Sequence, residues 1–174
     1  MREVVIEENI KQMIANIQSE YDFKSEMGGV LAGLLDAEQN VFRITDMSFP
    51  YESDKRDRCH FSRNSSGHQE WMDKIWQESN QTKSYLGEWH THDEDIPVPS
   101  RIDRNTWKRI SRQENNFDEC FFMIIGRRTY GIWTVKINVL LRLRGNCDDK
   151  RIYKKTPHTK SHARTSLAKG RWTM

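Results

Sequence analysis

The chain has 174 residues, 36% of them hydrophobic and 30% charged, which is enough for one hydrophobic core and too short for two ordinary ones. Its net charge of +3 is unevenly spread: residues 142–174 hold ten Lys/Arg against two Asp/Glu, or +8, while residues 1–141 hold eighteen against 23, or −5. No apolar stretch approaches the roughly 20 residues that span a bilayer, and Cys59, Cys120 and Cys147 are odd in number without a CxxC spacing, so a membrane role has no support and a reducing cytoplasm is expected.

Ile6, Ile10, Met13, Ile14 and Ile17 recur at helical spacing and predict an amphipathic helix over the first twenty residues. "GGVLAGLLD" (28–36) is short, apolar and punctuated by glycine, a buried strand, with "VFRITDMSF" (41–49) as its hairpin partner across a polar turn. Residues 51–67 read as a charged loop. Ser65 or Ser66 is placed to cap a helix on which Trp71, Met72, Ile75 and Trp76 share a face. "SYLGEWHTH" (84–92) reads as a strand, "SRIDRNTWKRISRQ" (100–113) as a short helix, and "ECFFMIIGRRTYGIWTVKINVLL" (119–141) as two strands joined near Arg127 to Tyr130. The order is that of an α/β domain, a mixed β-sheet packed against helices, over residues 1–143. Residues 144–174 are basic and without periodicity, a tail expected to be disordered.

The chemistry concentrates in "GEWHTHDEDIPVPSRID" (87–103). Residues i and i+2 of a strand face the same way, so His90 and His92 direct both imidazoles at one point, with Glu88 on that face and Trp89 and Thr91 on the other. Asp93, Glu94 and Asp95 with Pro97 and Pro99 end the strand. Asp103 then shares a helical face with Trp107 and Ile110, turned toward the body of the protein. An inward carboxylate needs a partner, and a divalent cation held by two histidines is one. Two imidazoles and a carboxylate are the usual protein ligands of a catalytic zinc, whose remaining position activates water for hydrolysis. Ser-x-x-Asp is equally a capping box, in which Ser100 and Asp103 only start a helix. The combined spacing H-x-H-x(7)-S-x(2)-D arises by chance in roughly one of a few thousand chains of this length.

With "HTHDEDIPVPSRID" and the glycine-rich "SEMGGVLAGLL", the chain resembles the JAB/MPN (JAMM) metalloproteases from about Glu20 to Leu141. The resemblance implies a JAB/MPN, cytidine-deaminase-like architecture. It also implies Zn2+ bound by His90, His92 and Asp103, Glu26 as general acid/base, and Ser100 as a hydrogen-bond donor to the oxyanion. Without it, Glu26 reads as a solvent-facing residue at a strand end. The sequence departs from the family at Asp93, where proline is common, which bears on the strand exit but not on the ligands.

"LGEWHTHDEDIPVPSRIDRNTW" is most similar to the small bacterial deconjugating peptidases of anti-phage CBASS operons. That implies an isopeptidase acting on a ubiquitin-like or conjugated protein, among them a cGAS-like nucleotidyltransferase. Two other classes compete. A non-catalytic MPN scaffold would lose ligands that are all present here. A nucleic-acid binder would rest on the tail alone, where only weak electrostatic contact is expected. Cys59 beside His60 is not expected to form a thiol site, Cys120 is expected in the core, and His158 and His162 reflect tail composition. Asp93, Glu94 and Asp95 form either a solvated turn or an attraction for a basic stretch of the modifier. Glu88 is open between a partner near the metal and a rim charge.

Overall fold

The computed structural model describes residues 2–112 and 117–136. In chain order the elements are β1 (Glu3–Ile6), α1 (Glu8–Glu20), β2 (Gly28–Asp36), β3 (Val41–Met47), β4 (Lys55–Asp57), β5 (His60–Ser62), α2 (Ser65–Glu78), β6 (Ser84–Thr91), α3 (Arg101–Ile110), β7 (Glu119–Ile125) and β8 (Tyr130–Lys136). Six strands form one mixed sheet in the order β1-β3-β2-β6-β7-β8, and β4 and β5 form a separate hairpin. The α/β expectation of a mixed sheet against helices holds. The expected tail, with Cys147, His158 and His162, lies outside the described residues, and among those described no helix is long and apolar enough to cross a membrane.

Three local expectations need correction. The first residues form a strand before the helix, because the β-branched run Val4-Val5-Ile6 pairs in parallel with Phe42 to Ile44 of β3. The helical periodicity itself is sound from Ile10 on, where Ile10, Ile14 and Ile17 are buried. The charged segment 51–67 contains the β4–β5 hairpin, which three-residue polar strands do not reveal by alternation. Finally, α2 is capped by Asn64, whose side-chain oxygen accepts from Ser66 N at 3.1 Å, rather than by either serine.

The sheet is covered on both faces. α1 packs with Leu31, Phe42, Ile44, Trp89, Phe121, Met123 and Ile125. On the other face Val30, Tyr85, Cys120, Phe122 and Ile124 meet Met72 of α2 and Trp107 and Ile110 of α3, with Trp71 and Trp76 alongside. The indole of Trp107 stacks on Phe122 with centroids 4.9 Å apart, so Trp107 is core, as its spacing predicts, while Trp71 and Trp76 are partly buried against that core.

Strict alternation along β6 would put His90 on the same face as Leu86, under α1. It does not, because the β2–β6 register skips a residue: Leu31 faces Gly87 whereas Ala32 faces Tyr85. This bulge turns Glu88 and His90 to the α3 side and leaves Trp89, 1% exposed, in the α1 core. A Cβ on Gly87 would stand 1.6 Å from Phe121 O of the neighbouring strand. Gly87→Ala is therefore expected to lose about 2 kcal/mol or more of stability in denaturant unfolding, through forced separation of β6 and β7.

Candidate active site

The site lies where β6 ends and α3 begins. His92 follows the last strand residue, yet its N–H donates to Ile125 O at 3.0 Å and Thr91 N donates to Met27 O at 2.8 Å, so the backbone stays held on both sides. The antiparallel pairing Gly28↔His90 and Gly29↔Trp89, continued two residues, sets Glu26 opposite His92. The glycine pair makes that approach possible: a Cβ on Gly28 would lie 2.3 Å from Trp89 O, and one on Gly29 2.3 Å from Ser48 O.

Glu26 stands before β2 and is held by the β4–β5 hairpin. Its N–H donates to Asp57 O at 2.7 Å, and the Phe61 N–H points at its carboxylate. Burial, with the nearby Asp103 and Asp57 charges adding to it and His92 opposing, pushes the Glu26 carboxyl up to about 7.

The three expected ligands converge. His90 Nε2 is 3.0 Å from His92 Nε2 and 3.3 Å from Asp103 Oδ1, and His92 Nε2 is 3.5 Å from Asp103 Oδ2. Donors bound at about 2.0–2.1 Å to a tetrahedral zinc stand roughly 3.3 Å from one another, so the residues present fit such an ion. Glu26 is the fourth group, its Oε1 4.0 Å from His92 Nε2. Burial disfavours the charged form of Asp103, but the bonds from His90 and His92 outweigh it and hold its carboxyl well below the usual carboxylate range.

The capping reading of Ser100 and Asp103 is realised, and it leaves the same carboxylate facing the two histidines. Asp103 Oδ2 accepts from Ser100 N at 2.6 Å while Ser100 Oγ accepts from Asp103 N at 3.1 Å, a complete capping box. The box uses a lone pair of the serine hydroxyl and leaves its proton to be donated elsewhere. It also fixes the carboxylate that faces the histidines.

A cavity of about 480 Å³ opens over these groups, walled by residues 58–63 of the hairpin and by Ile102, Thr106, Arg109 and Ile110 along α3. Its floor answers the question of Glu88, which accepts from Arg63 Nη2 at 2.7 Å and Nε at 3.1 Å. Arg63, 6% exposed, is a residue the sequence reading missed, because a lone arginine in a charged loop carries no signal. Truncating it would strand a half-buried carboxylate beside the histidines and free the hairpin. Arg63→Ala is expected to lower unfolding stability by about 3 kcal/mol, measured by urea titration.

The acidic turn is less available than its sequence suggests. Asp93 accepts from Arg127 Nε at 2.6 Å and Asp95 pairs with Arg128 at 3.3 Å, leaving Glu94, which also accepts from Val98 N. Cys59 is exposed on the hairpin turn and Cys120 is buried in the core, where desolvation pushes its thiol up.

A family model described as prokaryotic homologs of the JAB domain matches residues 7–138. Three curated relatives all bear the name CD-NTase/cGAS isopeptidase. That of Vibrio cholerae serotype O1 is 32% identical over 127 residues, 73% of this chain and 78% of its own length. That of Pseudomonas aeruginosa is 37% identical over 106 residues, 61% of this chain and 66% of its own. The Escherichia coli relative is 38% identical over 104 residues, 60% of this chain and 65% of its own.

Proposed function

The chain belongs to the family of prokaryotic homologs of the JAB domain, and from that membership together with the site geometry we propose that it is a zinc-dependent isopeptidase. Its substrate is the amide between the C-terminus of a ubiquitin-like or conjugated protein and a target lysine. The names of the relatives favour a CD-NTase, a cGAS-like nucleotidyltransferase, as the conjugated protein, and the resemblance to CBASS peptidases leads us to propose its release in bacterial anti-phage defence in the cytoplasm. The observation that carries the reading is the convergence of His90, His92 and Asp103, whose ligand atoms all lie within 4.8 Å of one another, with Glu26 beside them.

In this reading His90, His92 and Asp103 would hold the zinc, which when bound supplies hydroxide at neutral pH and polarises the scissile carbonyl. Glu26 takes a proton from the attacking water and returns it to the leaving lysine amine. A half-buried carboxylate beside the histidines is placed for both transfers. The Ser100 hydroxyl, its acceptor side occupied by Asp103 N, donates to the oxyanion of the tetrahedral intermediate. The substrate tail lies extended in the cavity, where β5 pairs only with β4 among the described residues and offers its other edge to a strand.

A non-catalytic scaffold is the competing reading, and the complete set of Glu26, His90, His92, Ser100 and Asp103 argues against it. The test is zinc content per chain alongside cleavage of a lysine-linked CD-NTase conjugate. Stoichiometric zinc with no release of free CD-NTase would favour the scaffold.

A further inference from the structure

The charge on the two walls of the cavity runs opposite to that of the domain. Residues 1–141 carry −5. Yet the hairpin presents Lys55, Arg56 and Arg58, and α3 presents Arg101, Arg104, Lys108 and Arg109, all exposed. Among the described residues none of these seven forms an ion pair with an acid. Arg58 and Arg109 line the cavity itself.

The acids that line it are otherwise engaged. Glu88 is neutralised by Arg63 and Asp93 by Arg127, while Glu26 and Asp103 belong to the metal end. Glu94 is left, beside His92. The cavity is therefore polarised, with free cations on its walls and its one free acid at the metal.

The positions of the two arginines give the occupant a register. Arg58 follows Asp57, whose carbonyl oxygen holds Glu26 N, so it flanks the metal end. Arg109 lies six residues beyond Asp103 on α3, about 9 Å along the helix. An extended chain covers that distance in about three residues.

Building on the isopeptidase reading, we propose that this groove selects conjugates whose modifier has an acidic C-terminal tail, Arg58 and Arg109 contacting carboxylates within about five residues of the scissile amide. This runs against one of the two sequence-based readings of the acidic turn, that it attracts a basic stretch, because Arg127 and Arg128 already occupy Asp93 and Asp95.

The probes are three synthetic peptides of glycine, serine and threonine, each amide-linked through its C-terminus to the lysine side chain of a fluorescent acceptor. They carry two Glu, two Gln or two Lys at the third and fifth positions from the end. The zinc-loaded protein is expected to cleave the Glu probe with a kcat/KM about tenfold above the Lys probe at low salt, the sum of two exposed contacts. The gap should close at high salt and invert in R58E/R109E.

Binding of the same probes to Glu26→Gln, read by fluorescence anisotropy, should follow the same order without turnover. Cleavage with no charge preference, or an order unchanged in R58E/R109E, overturns the proposal and leaves the isopeptidase reading standing. Binding in the expected order with no cleavage of any probe supports the groove assignment and sinks that reading instead. A single-stranded oligonucleotide that binds Glu26→Gln more tightly than the Glu probe, and is not displaced by it, would assign the arginines to nucleic acid and overturn the proposal.

Discussion

Glu26→Gln is expected to bind zinc at one equivalent per chain and to cleave a lysine-linked conjugate about 10³-fold more slowly than the unaltered protein. The separation of the two effects follows from geometry. The facing atoms of His90, His92 and Asp103 stand 3.0 to 3.5 Å apart, a spacing that suits an ion, whereas Glu26 Oε1 is 4.0 Å from His92 Nε2. The amide side chain keeps the volume and the contact with Phe61 N–H but cannot accept and return a proton. Metal analysis by atomic emission, beside single-turnover cleavage, reads both. An active Glu26→Gln protein would remove the general acid/base from the mechanism, and one lacking zinc would make Glu26 a ligand.

His92→Ala should lose both properties, with zinc falling below a tenth of an equivalent and cleavage to background, since two donors no longer define a tetrahedral site. Its fold should survive. The cores around α1 and around Trp107 do not depend on the ligands, and the His92 backbone bond to Ile125 O is retained with any side chain. The companion variant Asp103→Asn separates cap from ligand. The amide oxygen can still accept from Ser100 N, so helix stability should change by less than about 1 kcal/mol while zinc is lost. Retention of zinc by both variants, measured after dialysis against a weak chelator, would refute the ligand set.

The convergence of His90, His92 and Asp103 was legible because residue type and spacing are constrained together there. His90 and His92 share a strand face by the period of two, and Asp103 is aimed by the capping box that its own sequence spells. Glu26 was legible only through family resemblance, since the two segments are tied by a bond from its neighbour Met27 to Thr91, 64 residues further along the chain. Arg63, Asp57 and Phe61 were invisible, because three-residue polar strands carry no periodic signal and their role comes from where the hairpin docks.

Local pattern by itself determined the mixed α/β class, the buried faces of α1, α2 and α3, the spacing of His90 and His92 on one strand face and the cap of α3, all of which depend on contacts within a few residues. Tertiary structure alone decided which face of the sheet received the site. A strand alternates blindly, so only the skipped pairing at Leu31 and Gly87 could send Trp89 to one core and His90 to the other side. The same holds for charge. Composition counts every acid and base alike, but pairing in space neutralised Asp93, Asp95 and Glu88 and left Arg58 and Arg109 to set the character of the groove.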